Sequence, residues 1–264
     1  MDLELKDKVV LVAAASKGLG FGIARQAARE GAVVAMGSRS MENLLSAKDK
    51  ILKELKGAQV LTHELDVADA ASIKNWVGHT LAQLGTVDAL VVNGGGPPAG
   101  RFDDMEDTAW QDGYENTLMS AVRLIRAVLP EMRLKGSGSI LTVTSSSVKE
   151  PIDNLLLSNV FRSGVTSLVK SLSMQEAQHG IRLNNLVPGF FDTERLRELN
   201  KRISKESARG IEEVRTAHFN QIPMGRYGEP DEFGKAAAFL LSDAASYVTG
   251  ETFVIDGGKM RTVW

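Results

Sequence analysis

The chain has 264 residues, 43% of them hydrophobic, and its formal charge of −2 comes from 31 basic and 33 acidic side chains. This composition supports a sizeable buried core and excludes disorder, and the lack of a long basic tract argues against nucleic acid or an anionic membrane as partner. Cysteine is absent, which excludes disulfides, thiolate metal sites and thiol nucleophiles and fits a reducing, cytoplasmic location.

Short β-branched runs alternate with helical periodicity along the whole chain. Seven strands are predicted, over Lys8–Ala14, Ala32–Gly37, Gln59–Leu65, Val87–Asn93, Ser139–Thr144, Arg182–Val187 and Thr252–Ile255. Seven helices are predicted between them, over Leu19–Glu30, Met41–Leu55, Ala70–Leu84, Thr108–Leu134, Ser158–His179, Thr193–Asn220 and Pro230–Leu241. No linker interrupts this repeated βαβ pattern. It therefore predicts one α/β domain over residues 1–264, a doubly wound parallel sheet of the Rossmann type with helices on both faces.

A secretion signal, a membrane span and a metal centre are not expected from the sequence. The first apolar run is short and flanked by acidic residues, and no run approaches the roughly 18 apolar residues that a membrane helix needs. The four histidines, His63, His79, His179 and His218, have no metal-ligand spacing.

A glycine-rich turn follows the first predicted strand. Its residues Ser16, Lys17, Gly18, Leu19 and Gly20 lead into an apolar-periodic helix. Glycines let the backbone approach a pyrophosphate, and the helix N-terminus supplies free N–H groups and a positive dipole end. The turn therefore predicts a dinucleotide site, although a tight strand-to-helix packing turn would use glycine as well.

Six ordered motifs resemble those of the short-chain dehydrogenase/reductase family, most closely its 3-oxoacyl-carrier-protein-reductase-like members. They are the glycine turn, Leu65-Asp66-Val67, the segment 88–95, Asn116, the segment 185–193 and the segment 250–258. The resemblance implies that the cofactor is contacted by Asp66, Val67, Asn93, Gly94, Gly95, Pro188, Gly189 and Thr193. Ala13 and Ala14 depart from the family's Thr-Gly pair. Because alanine tolerates positive φ poorly, Ala14 predicts a slightly different turn.

The end of the second predicted strand indicates which dinucleotide is bound. An NAD-preferring protein places a carboxylate there for the ribose 2′-hydroxyl, whereas this strand ends in Ser38-Arg39. Arg39 can bind a 2′-phosphate through its planar guanidinium, and Lys17 can add a second positive charge. These residues predict NADP(H). The alternative is that both are ordinary solvated cations.

The catalytic motif is altered. In the family, a serine follows the fifth strand and a Tyr-x-x-x-Lys pair lies thirteen residues later. Ser145 fits the serine, but Ser158 and Arg162 occupy the tyrosine and lysine positions. A serine hydroxyl is a far weaker acid than a phenol and arginine retains its proton, so cofactor binding is expected to survive where the usual proton transfer does not. The implied catalytic positions are Asn116, Ser145, Ser158 and Arg162.

A charged segment, 193–221, is predicted to form a helical lid over the substrate, with Gly210 dividing it into two helices. The aromatic residues Phe161, Phe190 and Phe191 would line a partly apolar pocket or pack in the core.

Three functions remain open. The first is an NADP(H)-linked oxidoreductase acting on a small carbonyl or secondary alcohol, with Lys149, Ser146 or a water as proton donor. The second is a catalytically silent dinucleotide-binding sensor or scaffold, and the third is a related chemistry such as dehydration or epimerisation. The resemblance also implies a homotetramer.

Overall fold

Residues 2–263 are described by a computed structural model, and their framework is a parallel sheet of seven strands in the order β3-β2-β1-β4-β5-β6-β7. The strands are β1 (Val9–Ala13), β2 (Val33–Ser38), β3 (Val60–Glu64), β4 (Ala89–Val92), β5 (Gly138–Val143), β6 (Ile181–Pro188) and β7 (Thr252–Ile255). The predicted Rossmann-type sheet is confirmed, and each strand lies within two residues of its predicted bounds.

Helices cover both faces of the sheet. They are α1 (Gly18–Arg29), α2 (Met41–Glu54), α3 (Ala70–Leu84), α4 (Asp107–Gly113), α5 (Ser120–Lys135), α6 (Leu156–Glu176), α7 (Glu194–Ser207), α8 (Ile211–Phe219) and α9 (Pro230–Leu241). One apolar cluster packs α1, α2 and α9 on the sheet and includes Phe233. The other packs α3, α5 and α6 on the opposite face and includes Trp76. The inner strands β1, β4 and β5 are buried on both faces, which matches their apolar sequences, whereas the edge strands β3 and β7 are partly exposed.

Short-range signals set the helix ends. The Asp69 carboxylate caps α3 by accepting hydrogen bonds from the backbone N–H groups of Ala71 (2.9 Å) and Ser72 (3.3 Å). Gly85 ends the same helix in the left-handed conformation, with φ 74°. Such caps satisfy terminal backbone groups that the helix itself leaves unpaired.

The sheet order reverses beside β1, which lies between β2 and β4. Loops after β1 and β4 therefore diverge and leave a crevice at the carboxyl ends of these strands, the usual ligand position in such sheets. Val10 of β1 pairs with Ala89 of β4, so the glycine turn and the loop after β4 emerge side by side.

The long helix predicted over 108–134 is wrong in one respect. A π-helical turn, Tyr114–Met119, separates α4 from α5 and contains Asn116. Ser120 Oγ donates to the backbone oxygen of Asn116 at 2.8 Å and lies 3.1 Å from that of Thr117. Wide turns of this kind are invisible to a 3.6-residue period and occur mostly at functional sites.

The lid segment consists of α7 and α8, and the predicted division at Gly210 is confirmed. The chain turns at Ala208, which has φ 53°. A small apolar cluster of Leu196, Ile222 and Tyr227 holds these helices. Within residues 2–263, no helix is both long and apolar enough to cross a membrane.

Candidate cofactor and reaction site

The turn after β1 has an unusual backbone. Ala14 adopts the left-handed region with φ 50°, and Gly18 does so with φ 61°. The sequence predicts a slightly different turn because alanine tolerates positive φ poorly, and the structure holds Ala14 itself in this conformation. The conformation costs about 1–2 kcal/mol in a residue with a Cβ. The Asn93 amide offsets part of this cost because it donates to the backbone oxygens of Ala13 (3.2 Å) and Ala14 (3.4 Å).

Gly20 is required by close approach. A Cβ at this position would lie 2.3 Å from the backbone oxygen of Ala14 and 2.7 Å from Nδ2 of Asn93. Thr193, at the start of the lid, stands on the other side of the turn, with its Cγ2 3.7 Å from a Cβ built on Gly18. The structure thus brings Gly18, Gly20, Asn93 and Thr193 together, as the sequence predicts.

The N-terminus of α1 is open. Its first residue follows Lys17, whose side chain makes no capping hydrogen bond. The N–H groups of Gly18, Leu19 and Gly20 belong to the first turn, where a helix has no partners of its own. Uncapped N–H groups beside a positive dipole end fit the pyrophosphate of a dinucleotide.

Lys17 contacts the lid instead of a phosphate. Its Nζ donates to Oε2 of Glu194, the first residue of α7, at 2.7 Å. This hydrogen bond raises the pKa of Lys17 and lowers the pKa of Glu194. The predicted second contact to a 2′-phosphate would require Lys17 to leave Glu194.

A cavity of about 440 Å³ lies beyond the ends of β2 and β3. Arg39, Glu64, Asp66 and Ser72 are among its lining residues. Arg39 is exposed and forms no ion pair within residues 2–263. The predicted phosphate ligand Arg39 and the predicted adenine contact Asp66 therefore line the same cavity. Glu64 also lines this cavity, although the sequence analysis did not predict it as a site residue.

The predicted site residues after β4 also converge. A Cβ on Gly94 would lie 3.9 Å from the backbone oxygen of Asn116 and 4.0 Å from Cγ2 of Val67. Nδ2 of Asn116 donates to the backbone oxygen of Asp112 at 2.9 Å. Gly95 has open space around it. The loop after β4 is therefore free to receive a flat ligand.

Pro188 and Gly189 lie at the end of β6, beside β7. A Cβ on Gly189 would lie 2.5 Å from Cβ of Asp256, and the Gly189 N–H donates to the backbone oxygen of Ile255 at 2.8 Å. The close approach of Asp256, which follows β7, is thus sufficient to require glycine at position 189 even without a cofactor.

Three serine hydroxyls lie after β5. Ser145 Oγ accepts from the N–H of Ser147 at 3.2 Å. Ser147 Oγ lies 3.3 Å from Ser158 Oγ, and both hydroxyls are buried. The sequence analysis did not predict Ser147 as a site residue. The run Ser145–Ser147 contains three hydroxyls, and only the folded structure shows that the Ser147 hydroxyl contacts α6.

Arg162 lies one helical turn beyond Ser158. Its Nη1 donates to the backbone oxygen of Val143 at 3.0 Å. Burial, and then the positive charge of Arg195, lower the pKa of Arg162 to about 10, so that it remains protonated at neutral pH. Arg195 also escaped sequence reasoning. It belongs to the first turn of α7, and its guanidinium lies over Gly96.

Other candidate donors lie elsewhere. In the described part of the chain, the side chains of Ser146 and Lys149 form no hydrogen bond with Ser158. Tyr114 lies near Phe161, Tyr227 is 2.9 Å from His218 Nδ1 within the lid, and Tyr247 is fully exposed.

The phenylalanines pack rather than line an open pocket. Phe161 is buried against Trp110, with ring centroids 5.8 Å apart. Phe191 packs on Phe233, and Phe190 stacks on His218 at 4.5 Å.

Comparisons with known proteins agree with this architecture. The sequence profile of the family described as Enoyl-(Acyl carrier protein) reductase matches residues 13–259. The 3-oxoacyl-acyl-carrier-protein reductase FabG of Salmonella typhimurium is 34% identical over 258 residues, covering 97% of this chain and 98% of the relative. Dehydrogenase/reductase SDR family member 4 of Homo sapiens is 32% identical, covering 96% of this chain and 88% of its own.

Among solved structures, the L-sorbose reductase of Gluconobacter frateurii complexed with NADPH and L-sorbose superposes with a TM-score of 0.95. Its sequence is 28% identical, and the alignment covers 100% of both chains. The predicted resemblance to the family is thereby confirmed. This chain belongs to the short-chain dehydrogenase/reductase family.

Proposed function

We propose that this protein is an NADP(H)-linked oxidoreductase that interconverts a carbonyl and a secondary alcohol with an atypical proton donor. Membership of the family supports the reaction class. The similar L-sorbose reductase, which is complexed with NADPH, supports the cofactor. The observation that carries the proposal is that the uncapped N-terminus of α1 and the segment with Ser145 follow β1 and β5 at the same edge of the parallel sheet.

In this proposal each part of the cofactor has its own residues. The first N–H groups of α1 hold the pyrophosphate, and Arg39 holds the 2′-phosphate. Asp66 and Val67 contact the adenine. The nicotinamide half lies near the remaining predicted contacts, which are Asn93, Gly94, Gly95, Pro188, Gly189 and Thr193. When bound, the reduced nicotinamide supplies the hydride that goes to the carbonyl carbon.

The hydroxyls at the reaction end position the substrate and deliver a proton to its oxygen. Ser145 orients that oxygen, and the Ser147–Ser158 pair replaces the missing phenol as donor. Because a serine hydroxyl is a weak acid, the neighbouring Arg162 stabilises the negative charge that develops on the oxygen. Arg162 also binds ribose hydroxyls, while Asn116 positions a water.

A second candidate is a cofactor-bound sensor that turns nothing over. The absence of both the tyrosine and the lysine favours this candidate, because the usual acid is then missing. The uncapped N-terminus of α1, which would bind the cofactor's pyrophosphate, is still present.

A substrate screen that follows NADPH absorbance, run beside calorimetry with NADPH, tests the proposal. Turnover of ketones together with NADPH binding supports the oxidoreductase. Tight binding of NADPH without turnover of any carbonyl compound would instead support the sensor.

We also propose a cytoplasmic homotetramer assembled through the α5 and α6 faces and β7. Apolar side chains on these elements are exposed in the single chain, including Leu134, Val160, Met174 and Phe253. A monomer in light scattering at micromolar concentration would refute the assembly.

A further inference from the structure

Two guanidinium groups lie on segments that border the reaction end of the cleft. Arg162 reaches it from α6 and is anchored on the backbone oxygen of Val143, two residues before Ser145. Arg195 reaches it from the first turn of α7. A Cβ on Gly96 would lie only 2.6 Å from Nη2 of Arg195, so the space left by this glycine is what admits the guanidinium.

Neither guanidinium is neutralised by a carboxylate in residues 2–263. Of the acids nearest Arg195 along the chain, Glu194 binds Lys17 at 2.7 Å and Asp192 binds Arg197 at 2.8 Å. Glu198, also in the described part of the chain, forms no ion pair with Arg195. Arg162 is half-buried, and this burial, followed by the charge of the exposed Arg195, lowers the pKa of Arg162.

A positive charge without a carboxylate partner is unfavourable on a half-buried side chain such as Arg162 until an anion offsets it. The phosphates of the proposed cofactor have their own sites, at the α1 N-terminus and at Arg39. Arg162 lies instead near Ser145, through its hydrogen bond to the backbone oxygen of Val143, and Arg195 lies over Gly96 in the loop after β4. A guanidinium presents two parallel N–H donors that match a planar carboxylate.

We propose, on the basis of the oxidoreductase function above, that the substrate is an oxo acid whose carboxylate is bound by Arg195, with Arg162 adding to the field. The reaction then converts an oxo acid, NADPH and a proton into a hydroxy acid and NADP⁺. Hydride forms the new C–H bond, and the proton goes to the former carbonyl oxygen. Arg195 is exposed and sits on the lid, so the carboxylate can reach it from solvent and draw the lid over the carbonyl.

Matched pairs of oxo acid and methyl ester test this assignment. Acetoacetate and 2-oxo-4-phenylbutanoate are compared with their methyl esters in the wild type, Arg195→Gln, Arg195→Lys and the control Arg202→Gln. The control removes the same charge from an exposed position on the same helix, where Arg202 faces Glu206. The ratio of kcat/KM for acid over ester is the main measurement. Calorimetric binding of acid and ester to the NADPH complex is the second.

The wild type and Arg202→Gln are expected to prefer the acid, whereas Arg195→Gln reduces the ratio by about 10- to 100-fold, the effect of one charge-assisted contact. Arg195→Lys should fall between them. Ester turnover with an unchanged ratio in Arg195→Gln would overturn the oxo-acid assignment and leave the oxidoreductase intact. A weaker Kd for NADPH with that same unchanged ratio would also overturn it, since Arg195 would then serve the cofactor. Arg195-dependent binding of the acids without any turnover would support the anion site while refuting the proposed reaction.

Discussion

The two ends of the cleft differ in how closely the chain follows its family. At the adenosine end, the glycine turn keeps its backbone even though Ala14 replaces a glycine, and α1 presents an uncapped N-terminus. At the reaction end, Ser158 and Arg162 stand at the positions where the resemblance to the family implies a tyrosine and a lysine. Dinucleotide binding depends largely on backbone N–H groups, which side-chain substitutions leave in place. Proton transfer depends on the pKa of individual side chains and changes when they do.

Restoring the family's acid would remove the difference between the two ends. The double change Ser158→Tyr with Arg162→Lys is expected to raise kcat on an activated ketone by about 10²- to 10⁴-fold, the usual contribution of general acid catalysis. Ser158→Tyr alone should help less, because arginine lacks the compact geometry of lysine. NADPH oxidation at saturating cofactor measures the effect.

The control for this change is Ser158→Phe with Arg162→Lys, which supplies the ring without the hydroxyl. If the wild type already reduces the ketone rapidly and Ser158→Ala leaves this rate unchanged, the proton donor is a group other than Ser158. Lys149→Met would then be the next variant.

A methyl group added at Gly20 in the glycine turn should impair cofactor binding at the adenosine end of the cleft. Gly20→Ala places Cβ against the backbone oxygen of Ala14, and overpacking of this kind costs about 1–3 kcal/mol. We expect a lower free energy of unfolding and much weaker binding of NADPH in calorimetry. Gly78→Ala is the control, because Gly78 faces open space on α3 and alanine there should be neutral or stabilise by up to about 1 kcal/mol. Unchanged NADPH affinity in Gly20→Ala would show that the cofactor does not use this turn.

Removal of the proposed 2′-phosphate ligand, Arg39, should affect the adenosine end less than Gly20→Ala does. Arg39→Ala should weaken NADPH by about tenfold and leave NADH unchanged, because one charged hydrogen bond contributes roughly 1.5–3 kcal/mol before solvent screening. Lys50→Ala removes an exposed cation from α2 and should change neither affinity. Equal affinities of the wild type for NADPH and NADH would contradict the proposed role of Arg39.

Two alanines with a strained backbone, one in the glycine turn and one in the lid, allow a matched comparison. Ala14 in the glycine turn and Ala208 in the lid have φ 50° and 53°. Glycine relieves about 1–2 kcal/mol of strain but adds about 0.4–1 kcal/mol of entropy to the unfolded chain. Both Ala14→Gly and Ala208→Gly should therefore raise the free energy of unfolding by about 0.5–1 kcal/mol in urea titrations. A loss at Ala14 alone would mean that its Cβ makes packing contacts that outweigh the strain.

The smallest expected effect concerns the lid. Burial, assisted by the charge of Lys259, lowers the pKa of His218 below its usual 6.5, so the folded lid favours the neutral ring. Neutral Nδ1 can accept the Tyr227 hydroxyl, which lies 2.9 Å away. This stability is complete above pH 6.5 and is lost as the pH falls toward the folded-state pKa. Hydrogen exchange of α8, corrected for intrinsic rates, should show opening at pH 5.5 that is easier by less than about 1 kcal/mol, and His218→Gln should abolish the dependence. An equal dependence in His218→Gln would assign the effect to other groups.

The sequence determined the framework. Apolar strand runs, helical periodicity and the glycine turn predicted the seven-stranded sheet and the place of Gly18 at its carboxyl edge, because these signals are local and repeat along the chain. The resemblance to the family implied Asn93 and Thr193. The replacement of the tyrosine and lysine by Ser158 and Arg162 was equally legible, since the i, i+4 spacing is a property of one helix.

Tertiary structure decided the rest, because contacts between distant segments leave no periodic trace in the sequence. Only the fold places Ser147 against Ser158, joins Lys17 to Glu194, and pairs Asp192 with Arg197. The π turn that contains Asn116 departs from the 3.6-residue period on which the helix prediction relied. The position of Arg195 likewise depends on the space that Gly96 leaves, and these two residues are far apart in the sequence.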